Sequence, residues 1–119
     1  QQKIPEDYVI AIGTQYSVRD FVYKAGKVLD MKIKWSGEGL EEVGYWDNKV
    51  IIKVDPRYFR ATEVETLLGD ASKAKEKLGW QPKISFDELV EEMMISDLKI
   101  AEKNELINKH GYEVKNYFE

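Results

Sequence analysis

The apolar and polar positions of this chain change period several times, and each change marks an element. Residues 8–12, "YVIAI", are apolar without a break, the pattern of a short strand covered on both faces, as in a parallel sheet. Gly13 interrupts the run, and Val18, Phe21, Val22, Ala25, Val28 and Leu29 then recur at helical spacing. Ser17 is placed to cap that helix, with Asp20 three residues on as its capping-box partner. "MKIKWSG" alternates apolar and polar side chains and predicts a half-buried strand over 31–37. Residues 37–48, "GEGLEEVGYWDN", hold three glycines and four acids and read as a loop. "KVIIKVD", 49–55, is the third strand.

Beyond it, Pro56 can open a short helix at its first position. Asp70 or Ser72 caps "SKAKEKLG", and Gly79 suits the left-handed position at its end. Trp80 and Pro82 then redirect the chain. Ser85 and Glu88 form the S-x-x-E capping box of a long helix. Its apolar stripe is Phe86, Leu89, Val90, Met93, Met94 and Leu98, with the two methionines as core filling. Gly111 ends it, and Lys109 and His110 sit near the negative end of its dipole. No repeat and no low-complexity linker divides the chain.

Composition narrows the classes. A length of 119 residues suits one modest domain with a small core. A net charge of -4 and the lack of a basic run argue against nucleic acid as a partner. With no cysteine, disulfides and thiolate metal sites are ruled out and a reducing compartment is permitted. His110 is the one histidine, too few for a histidine-based metal site. No apolar run approaches the roughly 20 residues of a membrane span, and no membrane partner is expected. The first residues lack both a signal-peptide core and an initiator methionine, so the expectation is a chain that begins inside a larger protein.

One stretch carries candidate chemistry. "DPRYFRATEVETLLGD", 55–70, holds Arg57 and Arg60, two of three arginines in a chain with 15 lysines. Arginine differs from lysine where a planar fork of donors must meet a phosphate or carboxylate. On a helical turn, Arg60 and Glu63 would share a face. The cation could then hold a diphosphate while the carboxylate accepts hydrogen bonds from a vicinal diol, the two needs of a nucleotide sugar. Ordinary ion pairs, Arg57 with Asp55 and Arg60 with Glu63, explain the same spacing. Ser17 and Arg19 open a helix whose N-terminus can favour an anion, although capping alone explains Ser17. Trp35 and Trp46 could stack on a base or simply pack.

"PEDYVIAIGTQYSVRDF", "VDPRYFRATEVETLLGDASKAKEKLGWQPKISFDELVEEMM" and "HGY" together resemble the C-terminal part of the extended short-chain dehydrogenase/reductases. The resemblance covers nearly the whole chain. The "LGD-x-SKAKEKLGW-x-P" segment is shared among nucleotide-sugar enzymes of that family, and the "VDPRYFR-x-x-EVETLLGD" block points to its GDP-mannose dehydratase branch. The resemblance implies an α/β fold, α+β in isolation: residues 1–119 as a C-terminal nucleotide-sugar-binding lobe of helices with a few short strands. Residues 8–12 would be a strand of a dinucleotide-binding sheet outside this chain, and would stand unpaired here. It also implies that Arg60 contacts the diphosphate of GDP-mannose and Glu63 its ribose, with Arg57 as a further substrate-binding candidate. NADP as cofactor, a cytoplasmic location and a homo-oligomer follow from the same resemblance. The family's proline and alanine after the arginine are Ala61 and Thr62 here, which loosens the turn without removing a contact group. The loop near 40–50 is shorter than in some relatives, which puts loop-mediated oligomer contacts in doubt.

The family's dehydration uses NADP to oxidise carbon 4, loses water across carbons 5 and 6, and returns the hydride to carbon 6. The residues for this are implied to lie upstream, and no catalytic, cofactor-binding or metal-binding residue is assigned to this chain. Tyr23/Lys27 and Tyr45/Lys49 match the tyrosine–lysine spacing of the family's catalytic pair, but matches this short arise by chance in a lysine-rich chain. Gly37–Glu38–Gly39 lacks the third glycine and the helix of a dinucleotide turn. Two other readings stay open: a free-standing, non-enzymatic α+β binding module, and a related epimerase or reductase of another GDP-sugar.

Overall fold

The computed structural model describes residues 2–60, 62 and 66–114. Helix α1, Val18–Val28, begins where predicted, because Ser17 and Asp20 cap each other's backbone N–H groups in a complete capping box. Three antiparallel strands follow: β1 (Lys34–Ser36), β2 (Val43–Trp46) and β3 (Lys49–Lys53), in the order β1-β2-β3. Two further helices are α2 (Ser72–Leu78) and α3 (Phe86–Lys109). The result is the mixed helix-and-small-sheet lobe expected.

Strand β2 corrects the loop predicted over 37–48. Gly44, which made that stretch look irregular, is what lets the sheet close. It is buried opposite Ile52, and a methyl there would sit 3.3 Å from both the Trp35 ring and Ile52 Cβ. The two large side chains meet over the glycine from the neighbouring strands. Asp47 and Asn48, both with positive φ (47° and 62°), make the two-residue turn from β2 into β3. That is the conformation a tight hairpin needs, and short Asx side chains tolerate it.

The strand predicted over 8–12 finds no ladder partner among the described residues, and Val9, Ile10 and Ile12 stay exposed. A strand exists only by pairing, and what approaches here is the irregular chain at Gly69, where a methyl would lie 2.5 Å from Ala11 Cβ. Charges tie the segment to α2: Lys77 Nζ lies 2.9 Å from Glu6 Oε1, and Lys73 donates to the Asp7 carbonyl at 2.9 Å. The short helix predicted from Pro56 is also corrected. Pro56–Tyr58 form a single turn, closed by Tyr58 N–H donating to the Asp55 carbonyl at 3.1 Å. A proline with its fixed φ suits the second position of a turn as well as the start of a helix.

The N-cap of α2 is Ala71, which makes no side-chain cap bond, a correction to the predicted Asp70 or Ser72; Asp70 just before it accepts from the Ser72 N–H at 2.9 Å, and the helix ends on Gly79 at φ 65°. Helix α3 has the predicted Ser85/Glu88 capping box, and Gly111 at φ 78° follows its last turn. α1 and α3 pack together through Tyr16, stacked on Phe86 with ring centres 3.9 Å apart, and through Phe21 at 6.4 Å. Lys24 pairs with Asp87 beside the same ring. Among the described residues only Ala25, Ala74 and Val90 are fully buried apolar side chains. Of the predicted α3 stripe, Val90 is buried and Phe86 and Met94 half-buried, whereas Leu89, Met93 and Leu98 are exposed. The radius of gyration is 19.3 Å, against about 13–14 Å for a closed domain of this length. The lobe is open on one side. No helix of the described residues is long and apolar enough to cross a membrane.

Candidate functional site

A cleft of about 570 Å³ lies between the first turn of α1, the face of the sheet and the turn that follows β3. Ser17, Val18 and Arg19 form one wall, Trp35, Glu42 and Ile52 the floor, and Asp55, Tyr58 and Phe59 the other wall. Three residues singled out by sequence, Ser17, Arg19 and Trp35, are thus brought together beside the arginine-bearing stretch. Trp46, at the hairpin end, does not line the cleft.

The local structure of the 55–60 stretch follows from Asp55. Its carboxylate accepts from the Arg57 N–H at 3.0 Å, which fixes the turn. The Arg57 guanidinium folds back on the same carboxylate, Nε at 3.1–3.2 Å and Nη2 at 2.7 Å, and lies 5.4 Å from the Tyr58 ring centre. The guanidinium first, and the Arg57 N–H second, hold the Asp55 carboxyl below its usual range; the pairing raises Arg57. The fork of Arg57 is therefore closed on Asp55, as the ion-pair reading of that residue has it. Arg60 is exposed and follows Phe59, which lines the cleft. Glu63 lies outside the described residues, so the shared face expected for Arg60 and Glu63 lies outside them too.

Across the cleft, Arg19 is held by a residue that sequence reasoning passed over. Arg19 Nε donates to Glu42 Oε1 at 2.7 Å, and Nη2 donates to the same oxygen. The guanidinium sits 6.0 Å from the Trp35 ring centre. Nothing local marks Glu42: it is one of four acids in a glycine-rich stretch, and its role comes from β2 carrying it beside α1.

Of the two tyrosine–lysine matches, Tyr23 and Lys27 do share a face of α1, a chance match in a lysine-rich chain; the other motifs do not come together. Tyr45 and Lys49 lie on different strands, so they share no helix face. Gly39 opens a single 3-10 turn, Gly39–Glu41, which leads to a strand and not to a helix. Ser17 is engaged in capping, accepting from Asp20 N–H at 3.0 Å. His110 lies at the end of α3, its Nδ1 2.8 Å from the Leu106 carbonyl oxygen. Among the described residues no group of three or more His, Cys, Asp or Glu is placed to hold a metal.

Sequence comparison decides which family builds such a cleft. The family model described as GDP-mannose 4,6 dehydratase matches residues 1–93, which includes the cleft and the whole 55–60 turn. The chain belongs to the GDP-mannose 4,6-dehydratase family.

Named relatives agree. The chain is 45% identical to a GDP-mannose 4,6-dehydratase of Vibrio cholerae, over 96% of this chain and 34% of that protein. It is 50% identical to GDP-mannose 4,6 dehydratase 2 of Caenorhabditis elegans, over 86% of this chain and 27% of that protein. It is 45% identical to the human GDP-mannose 4,6 dehydratase, over 87% of this chain and 28% of that protein. The chain spans about a third of the length of the curated relatives it matches.

Proposed function

We propose that this chain is the nucleotide-sugar-holding lobe of an NADP-dependent GDP-mannose 4,6-dehydratase. In that reading the cleft takes the GDP portion of GDP-mannose. Arg60 meets the diphosphate, Glu63 the ribose hydroxyls, and Arg19 supplies a second cation from the opposite wall. Arg57 acts mainly through Asp55, by fixing the turn that presents Phe59 and Arg60. Residues 8–12 complete a strand of the dinucleotide-binding sheet. The observation that carries the reading is the cleft itself: a helix N-terminus with an arginine faces a turn that runs into another arginine, within the residues the family model matches.

The chain's own residues do not fit the cofactor. Its one Gly-x-Gly turns back into a sheet where a dinucleotide site needs a helix N-terminus. What these residues do is bind and orient: cations on the phosphates and a carboxylate on the diol fix the sugar end for groups elsewhere in the protein.

Calorimetric titration of the intact protein with GDP tests this. Arg60→Ala should weaken GDP binding by about 2 kcal/mol or more, the size of a lost charged hydrogen bond, which is roughly thirtyfold in Kd. Arg57→Ala should cost far less. An unchanged affinity in Arg60→Ala removes Arg60 from the site, and tighter binding of UDP than GDP would move the protein to a different nucleotide-sugar branch.

A further inference from the structure

We propose that Glu42 is a positioning residue that holds the Arg19 guanidinium in the orientation that meets the ligand's diphosphate. The inference rests on the reading of the cleft as a GDP site and adds a residue to it.

The two partners differ in burial. The Glu42 side chain is 15% exposed and the Arg19 side chain 64% exposed. One carboxylate oxygen takes both Nε and Nη2, so Glu42 grips the inner edge of the guanidinium. Among the described residues no hydrogen bond to Nη1 is formed, and Arg19 lines the cleft. The Trp35 ring centre lies 6.0 Å from the guanidinium carbon. Both residues of the pair line the cleft, with Glu42 the more buried of the two.

Both ends of this arrangement are fixed by backbone. Arg19 is the second residue of α1, whose start is set by the Ser17/Asp20 box. Glu42 directly precedes β2 and follows the 3-10 turn Gly39–Glu41, to which its N–H donates at 3.3 Å through the Gly39 carbonyl. Gly37, at φ 84°, passes so close to the Glu41 carbonyl that no side chain fits there. Glu42 is therefore delivered to Arg19 by a loop with little freedom.

An arginine ordered in advance loses less rotamer freedom on binding. Against that gain stands repulsion between the Glu42 carboxylate and a bound diphosphate. Arg19, 64% exposed, is open to the salt that screens this repulsion, and we take positioning as the larger effect.

The test is titration of the intact protein at physiological salt with two probes, GDP and guanosine. Glu42→Gln should bind GDP about fivefold to tenfold more weakly and guanosine as the wild type does. In the Arg19→Ala background, Glu42→Gln should add nothing. Arg19→Lys, at an exposed position where folding is not at stake, keeps the charge but loses the fork, and should show the same phosphate-specific loss. Equal or tighter GDP binding by Glu42→Gln, a parallel loss of guanosine binding, additive effects in the double variant, or wild-type GDP affinity in Arg19→Lys would each overturn the assignment. A wild type that binds no GDP would overturn the reading of the cleft and this inference with it; a wild type that binds GDP, with Glu42→Gln indifferent, sinks this inference alone.

Discussion

The two flanks of the lobe treat their large apolar side chains differently. On the sheet flank Trp35 and Ile52 close over Gly44, and Tyr16, Phe21 and Phe86 gather between α1 and α3. On the other flank Ile4, Val9, Ile10, Ile12, Leu67 and Leu68 all stand exposed, Leu67 at 79%. The residues are no less apolar; they lack a second surface. The sheet flank is the better packed of the two, although Val18 at 78% and Tyr58 at 76% stand exposed around the cleft. The other flank leaves its apolar side chains uncovered among the described residues, the arrangement expected under the proposal that residues 8–12 pair with a sheet outside this chain. The cleft keeps its geometry because the caps and the hairpin that position it are local.

The comparison breaks most directly at Val90, the largest fully buried side chain among the described residues. Val90→Ala should cost about 2 kcal/mol in urea unfolding, from lost transfer energy and an uncollapsed cavity. Ile10→Ala in the same 119-residue chain should change stability by no more than about 0.5 kcal/mol. In the intact protein Ile10→Ala should approach the Val90 value, because the missing surface would then be present. Equal effects of the two substitutions in the short chain would mean that the open flank is closed in solution.

Gly26 gives the next largest effect, and its sign is diagnostic. Alanine in a helix interior normally gains up to about 1 kcal/mol over glycine. Here the added methyl would sit 2.7 Å from the Met31 carbonyl oxygen and 2.9 Å from Ile33 Cγ1. Overpacking of this kind costs about 1–3 kcal/mol, so Gly26→Ala should destabilise on balance. A raised thermal midpoint would show that residues 31–33 do not approach α1 as described.

These contrasts also show what was legible in the sequence. Both capping boxes were, because Ser17/Asp20 and Ser85/Glu88 complete their signals within four residues. The ends of α2 and α3 were, because Gly79 and Gly111 occupy left-handed positions that other residues resist. Strand β2 was not, because its defining contacts come from Trp35 and Ile52 on other strands, while Gly44 locally argues for a loop. The turn at Pro56–Tyr58 was not distinguishable from a helix start, since proline serves both and the Asp55 carboxylate decides. In the site, the pairing of Arg57 with Asp55 was among the readings that sequence offered. Glu42 was illegible, since only the fold carries it 23 positions back to Arg19.

The cap of α3 supplies a smaller perturbation on the better-packed flank. Ser85→Ala removes the acceptor for the Glu88 N–H, and such losses cost typically about 1 kcal/mol. The effect should appear as a lower thermal midpoint with the hairpin intact, read by circular dichroism against near-ultraviolet tryptophan signals. Loss of both signals together would tie α3 to the sheet more tightly than the packing of α1 on α3 suggests.

The smallest expected effect is a slope with pH. Hydrogen bonds from backbone N–H groups first, and then from the Ser17 and Ser85 hydroxyls, hold the Asp20 and Glu88 carboxyls below their usual range. A carboxyl lowered on folding stabilises the fold while it is ionised. That contribution is complete above the ordinary carboxylate range, about 4–4.5, and is lost as pH falls through the lowered folded values. Asp55, lowered by Arg57, adds to the same trend. Lys24, raised by Asp87, stays charged throughout that window and adds no slope of its own there. The carboxylates are exposed and screened, so the trend should be shallow. Thermal midpoints measured from about pH 7 down to about pH 3 should fall only in the acid limb, and the fall should flatten in Asp20→Asn/Glu88→Gln. An unflattened fall in that double variant would place the acid-sensitive groups elsewhere, with the Glu6–Lys77 pair of the open flank the first to examine, since Lys77 lowers Glu6 in the same direction.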